Sequence, residues 1–133
     1  MTIDVLLIED DQSDVLVIKR ALLKAGLECQ WHHADNGEKA LALIDAIAGG
    51  EIQPTLIMLD LNLPRYDGKE LLARIRETPT AREVPVVVMS GSLNPKDRED
   101  VLASGADMFF HKSIDLGEYM RLGDQVCQLL QNR

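Results

Sequence analysis

The chain has 133 residues, of which 46% are hydrophobic and 27% charged, a balance typical of one globular domain. Its net charge of −8 argues against nucleic-acid binding, because phosphate backbones repel acidic surfaces. No apolar run is long enough to span a membrane, and the N-terminus lacks the basic segment of a signal peptide. We therefore expect one domain, residues 1–133, in the cytoplasm.

Along the chain, short apolar runs alternate with segments of helical periodicity. The runs at 3–8, 27–34, 55–60, 84–90 and 106–112 are predicted strands, and helices are predicted within 13–25, 35–50, 71–78, 95–104 and 116–130. Five β-then-α units in so short a chain need crossover connections, and these produce parallel strands. The prediction is an α/β fold: a doubly wound, five-stranded parallel sheet with helices on both faces. The runs at 55–60 and 84–90 should be central, since buried parallel strands are continuously hydrophobic.

Polar side chains follow the predicted strands at their carboxyl ends, where open parallel sheets bind ligands. Asp11 is expected to start the first helix, where an acidic residue suits the helix dipole. The candidate site residues are, in strand order, Glu9, Asp10, Asp60, Asn62, Ser90, Ser92 and Lys112.

Asp60 ends one of the most apolar runs of the chain, and a buried carboxylate without a partner is costly. Glu9 or Asp10 beside it would add like charge, which a hard divalent cation such as Mg²⁺ resolves with oxygen ligands. Lys112 adds a fixed positive charge and Ser90 a hydroxyl. Together these groups suit phosphoryl transfer, in which catalysis is mostly positioning and charge neutralisation, with Asp60 as the phosphoacceptor.

The segments "LLIEDD", "LIMLDLNLPRYDG", "VPVVVMSGS" and "GADMFFHKS" occur in this order, each at a strand end. With them the chain resembles the receiver domains of two-component response regulators over nearly its whole length. The resemblance implies a flavodoxin-like sheet of strand order 2-1-3-4-5. Since no segment is left over, we expect a single receiver domain without an output domain.

The same resemblance implies the function and the role of each site residue. Asp60 would take a phosphoryl group from a sensor histidine kinase, and the protein would catalyse only its own phosphorylation and slow dephosphorylation. The signal would leave through the face formed by helix 4, strand 5 and helix 5. By this resemblance, Mg²⁺ would be bound by Asp10, Asp60 and the backbone carbonyl of Asn62, with Glu9 acting through water. The phosphoryl group would be contacted by Ser90 and Lys112, and the conformational switch would consist of Ser90 and Phe109. The rate of dephosphorylation would be tuned by Asn62 and Ser92.

Lys112-Ser113 stands where the family commonly has Lys-Pro with a cis bond, and we predict a trans bond here, because cis bonds before residues other than proline are rare. The pair, with "LDLNLP", is most similar to single-domain regulators that work with bacterial phytochromes. A homodimer is also expected, through the face of helix 4, strand 5 and helix 5, because Leu122, Leu129 and Leu130 offer apolar surface on the last helix.

Three other functions are compatible with a fold of this class. A haloacid-dehalogenase-type phosphatase also forms an aspartyl phosphate, but its nucleophile follows the first strand in an Asp-x-Asp motif. A flavodoxin-like electron carrier needs a Ser-, Thr- and Gly-rich phosphate loop, where this chain has "EDDQSD". A receiver that only binds partners, without phosphorylation, is the third alternative.

Overall fold

The five predicted strands pair side by side, all in parallel, in a computed structural model that describes residues 2–132. The strand order is β2-β1-β3-β4-β5, as expected. The strands are β1 (Thr2–Ile8), β2 (Glu28–Ala34), β3 (Leu56–Asp60), β4 (Val86–Ser90) and β5 (Met108–His111). The helices are α1 (Gln12–Lys24), α2 (Gly37–Ala48), α3 (Gly68–Glu77), α4 (Pro95–Ala103) and α5 (Leu116–Gln131), and one turn of 3-10 helix covers Pro79–Ala81.

Each α-helix begins after an Asp or Asn whose side chain accepts a hydrogen bond from a backbone N–H of the first turn. The expectation that Asp11 starts the first helix is confirmed, and the structure shows that it does so as the N-terminal cap. Every α-helix follows the carboxyl end of a strand, so each cap sets the last residue of a loop between a strand and a helix. The site residues lie in or beside these loops. The capping residues are Asp11, Asn36, Asp67, Asn94 and Asp115.

The sheet separates two hydrophobic cores, because successive side chains of a strand point to opposite faces. Leu6, Ile57 and Val88 face the layer of α2, α3 and α4. Leu7 and Met58 face the layer of α1 and α5. All residues of β3 and β4 are buried, so the prediction that these are the central strands is confirmed.

Two details differ from the sequence-based expectations. Strand β4 begins at Val86 rather than at 84, because the N–H of Val84 is used in a turn to Ala81 and Pro85 has no N–H. The prediction of exposed apolar surface at Leu122 is wrong. This side chain is fully buried in the core between α1, α5 and the sheet.

Leu129 and Leu130 are partly buried against that same core. The surface argument for a homodimer therefore loses one of its three residues, and the homodimer itself stays a prediction. The Lys112-Ser113 bond is trans, as predicted, since residues 2–132 contain no cis peptide bond. Within the same range, no helix is both long enough and apolar enough to cross a membrane.

Candidate functional site

Asp60 is the last residue of β3 and is only 4% exposed. One carboxylate oxygen, Oδ1, accepts a hydrogen bond of 3.1 Å from the backbone N–H of Asn62. The other, Oδ2, lies 3.5 Å from the Lys112 ammonium. A buried Asp60 carboxylate needs a partner, and the structure supplies the Lys112 ammonium. Lys112 follows β5, which is two strands away from β3 in the sheet.

Glu9 follows β1 directly and is fully buried. Its Oε1 accepts a hydrogen bond of 2.6 Å from the Lys112 ammonium, and its Oε2 accepts one of 3.2 Å from the backbone N–H of Asp11. Asp10, next in the chain, is more exposed. Carboxylate oxygens of Glu9, Asp10 and Asp60 all lie within 4.8 Å of one another. The structure therefore brings together the three acidic residues that the sequence assigned to one site.

Burial and neighbouring charges shift the pKa of two groups of the site, Glu9 and Lys112. Burial, together with the hydrogen bond and charge of neighbouring Asp60, raises the pKa of Glu9 to about 8, although the Lys112 ammonium opposes the rise. For Lys112, burial disfavours the charge, but the hydrogen bond to Glu9 and the charge of Asp60 outweigh it and raise the pKa of the ammonium. Among the described residues, the acidic groups of the site thus gather around the Lys112 ammonium.

Such a donor set fits a divalent metal ion. Hard cations such as Mg²⁺ bind carboxylate oxygens and keep several water molecules, and Asp10 gives the pocket an opening to solvent. A cation here would relieve the repulsion between the carboxylates, which Lys112 alone only partly offsets. The acidic pocket is thus consistent with divalent-metal binding.

Ser90 ends β4 and is fully buried one strand away from Asp60. Its hydroxyl donates a hydrogen bond of 2.6 Å to the side-chain oxygen of Asn62 and accepts one of 3.0 Å from the N–H of Ser92. The Ser92 hydroxyl accepts a hydrogen bond from the N–H of Asn94, the cap of α4. Ser92 is therefore built into the start of α4, whereas Asn62 contacts both Asp60 and Ser90.

The loop that carries Asn62 is held by a close backbone contact. A methyl group at Gly68, the first residue of α3, would lie 2.6 Å from the carbonyl oxygen of Leu61, so only glycine fits. The neighbouring Asp67 caps α3. Asp67 and Gly68 thus form the turn into this helix, and the turn fixes the path of the residues after Asp60.

Phe109, the proposed switch aromatic, lies on β5 with its ring partly buried against the core under α2, α3 and α4. Its neighbour Phe110 is buried on the opposite face of the sheet. Phe109 thus lies on the side of the sheet that α4 covers, beside the strand that ends in Ser90.

Two residues of the site were not found from the sequence. Asp14, in the first turn of α1, places Oδ2 3.1 Å from the Lys112 ammonium. The hydroxyl of Tyr119, on α5, donates a hydrogen bond of 2.8 Å to Asp14 Oδ1. The sequence feature that could have indicated this contact is Tyr119 itself, because a tyrosine at a buried helix position needs a hydrogen-bond partner for its hydroxyl.

Comparison with known proteins places this site in a family. Residues 5–122 match the model of the response regulator receiver domain. The chain belongs to this family. The response regulator Rcp1 of Synechocystis sp. is 36% identical over 104 residues, which cover 75% of this chain and 67% of Rcp1.

Solved receiver structures show the same fold. The phosphorylated cyanobacterial phytochrome response regulator RcpA is similar with a TM-score of 0.86 at 28% identity, over 98% of this chain and 95% of RcpA. The Mn²⁺-bound form of Rcp1 gives a TM-score of 0.82 at 28% identity, over 93% and 91% of the two chains. The predicted resemblance of this receiver to phytochrome-associated regulators is confirmed.

Proposed function

We propose that this receiver accepts a phosphoryl group on Asp60 from the phosphohistidine of a sensor histidine kinase in a Mg²⁺-dependent reaction. The observation that carries the proposal is the buried Asp60 carboxylate, 3.5 Å from the Lys112 ammonium and within reach of two further carboxylates. A structural ion pair would need only one acid and one base. The surplus of acidic groups around Asp60 supports a site that binds a metal ion and a phosphoryl group.

The proposed reaction is a displacement at phosphorus. A carboxylate oxygen of Asp60 forms a bond to phosphorus while the P–N bond to the histidine of the kinase breaks, and the ring nitrogen leaves with the bonding electrons. Lys112 neutralises charge on the transferred phosphoryl oxygens, and the hydroxyl of Ser90 donates a hydrogen bond to one of them. The product is an acyl phosphate, which water later hydrolyses.

Asp10, Asp60 and the backbone carbonyl of Asn62 would hold Mg²⁺, with Glu9 acting through water. The ion would supply positive charge that neutralises the phosphoryl oxygens during transfer. To contact the phosphoryl group, Ser90 must give up its hydrogen bond to Asn62. Phe109 would move inward as Ser90 moves, while Asn62 and Ser92 would tune the rate of dephosphorylation.

The proposed partners follow from the relatives and from the charge of the chain. RcpA is a phytochrome response regulator by name, so we propose a kinase of the phytochrome type, acting in the cytoplasm. The output face would be α4, β5 and α5, and its target is a protein rather than nucleic acid, given the net charge of −8.

The proposal is tested by intact-protein mass spectrometry after incubation with acetyl phosphate, with and without Mg²⁺. The expected result is a Mg²⁺-dependent phosphoryl adduct that disappears in Asp60→Asn. Asp67→Asn is the matched control, because asparagine also caps a helix, and it should keep the adduct. An unmodified natural chain under all conditions would instead support a receiver that binds partners without phosphorylation.

A further inference from the structure

Lys112 is surrounded by three carboxylates in the part of the chain that the structure describes. Its ammonium nitrogen lies 2.6 Å from Glu9 Oε1, 3.1 Å from Asp14 Oδ2 and 3.5 Å from Asp60 Oδ2. An ammonium group has three N–H donors and a flexible stem, so its direction depends on the acceptors around it. Glu9 and Asp14 make the two short contacts, and the longest contact is to the proposed phosphoacceptor.

Asp14 is itself held in place. Its second oxygen, Oδ1, accepts the hydrogen bond of 2.8 Å from the Tyr119 hydroxyl, so each carboxylate oxygen has its own partner. Tyr119 is 5% exposed, and its ring packs against that of Phe110 with centroids 5.7 Å apart. The position of Asp14 is therefore fixed by a buried residue of α5 as well as by the first turn of α1.

We propose that Asp14, held by Tyr119, is a positioning residue that aims Lys112 at the phosphoryl group on Asp60. Glu9 and Asp14 each take one N–H of the ammonium, and the third N–H is left facing Asp60. The proposed role rests on the function proposed above. No contact joins Asp14 to Asp60 in the described residues, so Asp14 acts through Lys112 rather than on the reacting atoms.

The test compares rates of phosphorylation by acetyl phosphate at saturating Mg²⁺ in Asp14→Ala, Tyr119→Phe and Lys112→Ala. We expect Asp14→Ala to slow phosphorylation by about tenfold to a hundredfold, because misdirecting a charge-stabilising group by about 1 Å has effects of this size. Tyr119→Phe should slow it less, because the ion pair of Asp14 with Lys112 remains. The matched control is Asp11→Asn, which removes one charge near the start of the same helix but keeps its cap and should phosphorylate normally.

The decisive comparison is the double variant Asp14→Ala with Lys112→Ala. If Asp14 acts through Lys112, its removal has no further effect once Lys112 is absent, and the double variant phosphorylates at the rate of Lys112→Ala alone. A merely structural role of Asp14 would slow the reaction equally in both backgrounds. Additive effects, or an Asp14→Ala variant as fast as the natural chain, would overturn the proposal.

A second measurement does not depend on phosphorylation. Nuclear magnetic resonance relaxation of the Lys112 ammonium nitrogen should show an ordered side chain in the natural protein and a mobile one in Asp14→Ala. An equally ordered Lys112 in both proteins would overturn the proposed role of Asp14. If the natural chain gives no phosphoryl adduct, the proposed function fails, and this measurement alone decides whether Asp14 orders Lys112.

Discussion

The hydroxyl of Ser90 donates its proton to the side-chain oxygen of Asn62 at 2.6 Å. Both residues lie next to Asp60, because Ser90 ends the neighbouring strand and the backbone N–H of Asn62 is bonded to the Asp60 carboxylate. A hydroxyl has only one proton, so Ser90 cannot donate to Asn62 and to a phosphoryl oxygen at once. In the proposed function, this hydrogen bond therefore competes with the phosphorylated state.

Asn62→Ala removes the competing acceptor. We expect beryllofluoride, which mimics the phosphoryl group on aspartate, to bind this variant about fivefold more tightly, since one hydrogen bond contributes about 1 kcal/mol. Titration calorimetry with Mg²⁺ present measures the affinity. Ser90→Ala should bind the mimic more weakly than the natural chain. Weaker or unchanged binding by Asn62→Ala would show that the hydrogen bond between Ser90 and Asn62 does not compete.

Mg²⁺ binding should depend on pH through Glu9. Burial raises the pKa of Glu9 from 4.5 to about 8, so the folded, metal-free protein holds this proton more tightly than the unfolded chain does. The proton's contribution to stability is present below about pH 4.5 and is lost as the pH rises to about 8. A metal ion favours the ionised acid, so its binding releases the proton.

The affinity for Mg²⁺ is therefore expected to rise between pH 6 and pH 8, by at most about tenfold per pH unit, and to level off above pH 8. Calorimetry in two buffers of different ionisation enthalpy counts the protons released. Glu9→Gln, which cannot ionise, should remove most of the pH dependence. An affinity for Mg²⁺ that stays constant over this range in the natural protein would contradict the expectation.

The raised pKa of Tyr119 predicts that the free energy of unfolding falls at alkaline pH. Burial, with the hydrogen bond to Asp14, raises the pKa of the phenol well above its ordinary value of 10. Above about pH 10 the unfolded chain loses this proton while the folded chain keeps it, so the free energy of unfolding falls as the pH rises. The contribution of Tyr119 to this fall approaches about 1.4 kcal/mol per pH unit.

Urea unfolding of the natural chain and of Tyr119→Phe at several pH values measures the effect. We expect the variant to be about 1 kcal/mol less stable at neutral pH, because the hydrogen bond to Asp14 is lost. Its stability should fall less steeply above about pH 10, since phenylalanine has no proton to lose. If plots of the free energy of unfolding against pH run parallel for the two proteins, Tyr119 is excluded as a source of the alkaline instability.

Gly123 allows α5 to lie directly against α1. A methyl group at this position would come within 2.1 Å of the Ala21 carbonyl oxygen, which belongs to the backbone and cannot move aside easily. Gly123→Ala is therefore expected to lower the free energy of unfolding by about 1–3 kcal/mol or more, as overpacking does. Gly117→Ala, an exposed position of the same helix, is the control and should change it less. Equal urea midpoints for Gly123→Ala and the natural chain would contradict the close packing.

The convergence of Glu9, Asp60 and Lys112 was predictable from the sequence. Each follows a short apolar run, and parallel strands bring their carboxyl ends to one edge of the sheet. The full order of the strands does not follow from the sequence pattern, because hydrophobic runs show which strands are buried but not how the others are arranged around them. That order came from the resemblance to receiver domains, and the observed sheet confirms it.

Contacts between elements that are distant in the sequence were not predictable in the same way. Asp14 and Lys112 are 98 residues apart, and nothing in the local sequence of α1 shows that its first turn faces Lys112. Leu122 was wrongly assigned to the surface because periodicity defines an apolar stripe but not the element that covers it. Arg76 gave no signal either, yet its guanidinium donates hydrogen bonds to the carbonyl oxygens of Gly105 and Val84 and so joins α3 to two loops.

The central claim, that Asp60 is the phosphoacceptor, is tested most directly by trapping the acyl phosphate. Borohydride reduces an aspartyl phosphate to homoserine, so peptide mass spectrometry of the treated protein identifies the modified residue. After incubation with acetyl phosphate and Mg²⁺, we predict homoserine at position 60 and unchanged aspartate at positions 10 and 14. Homoserine at another position, or none in a protein that carries the phosphoryl adduct, would contradict the account.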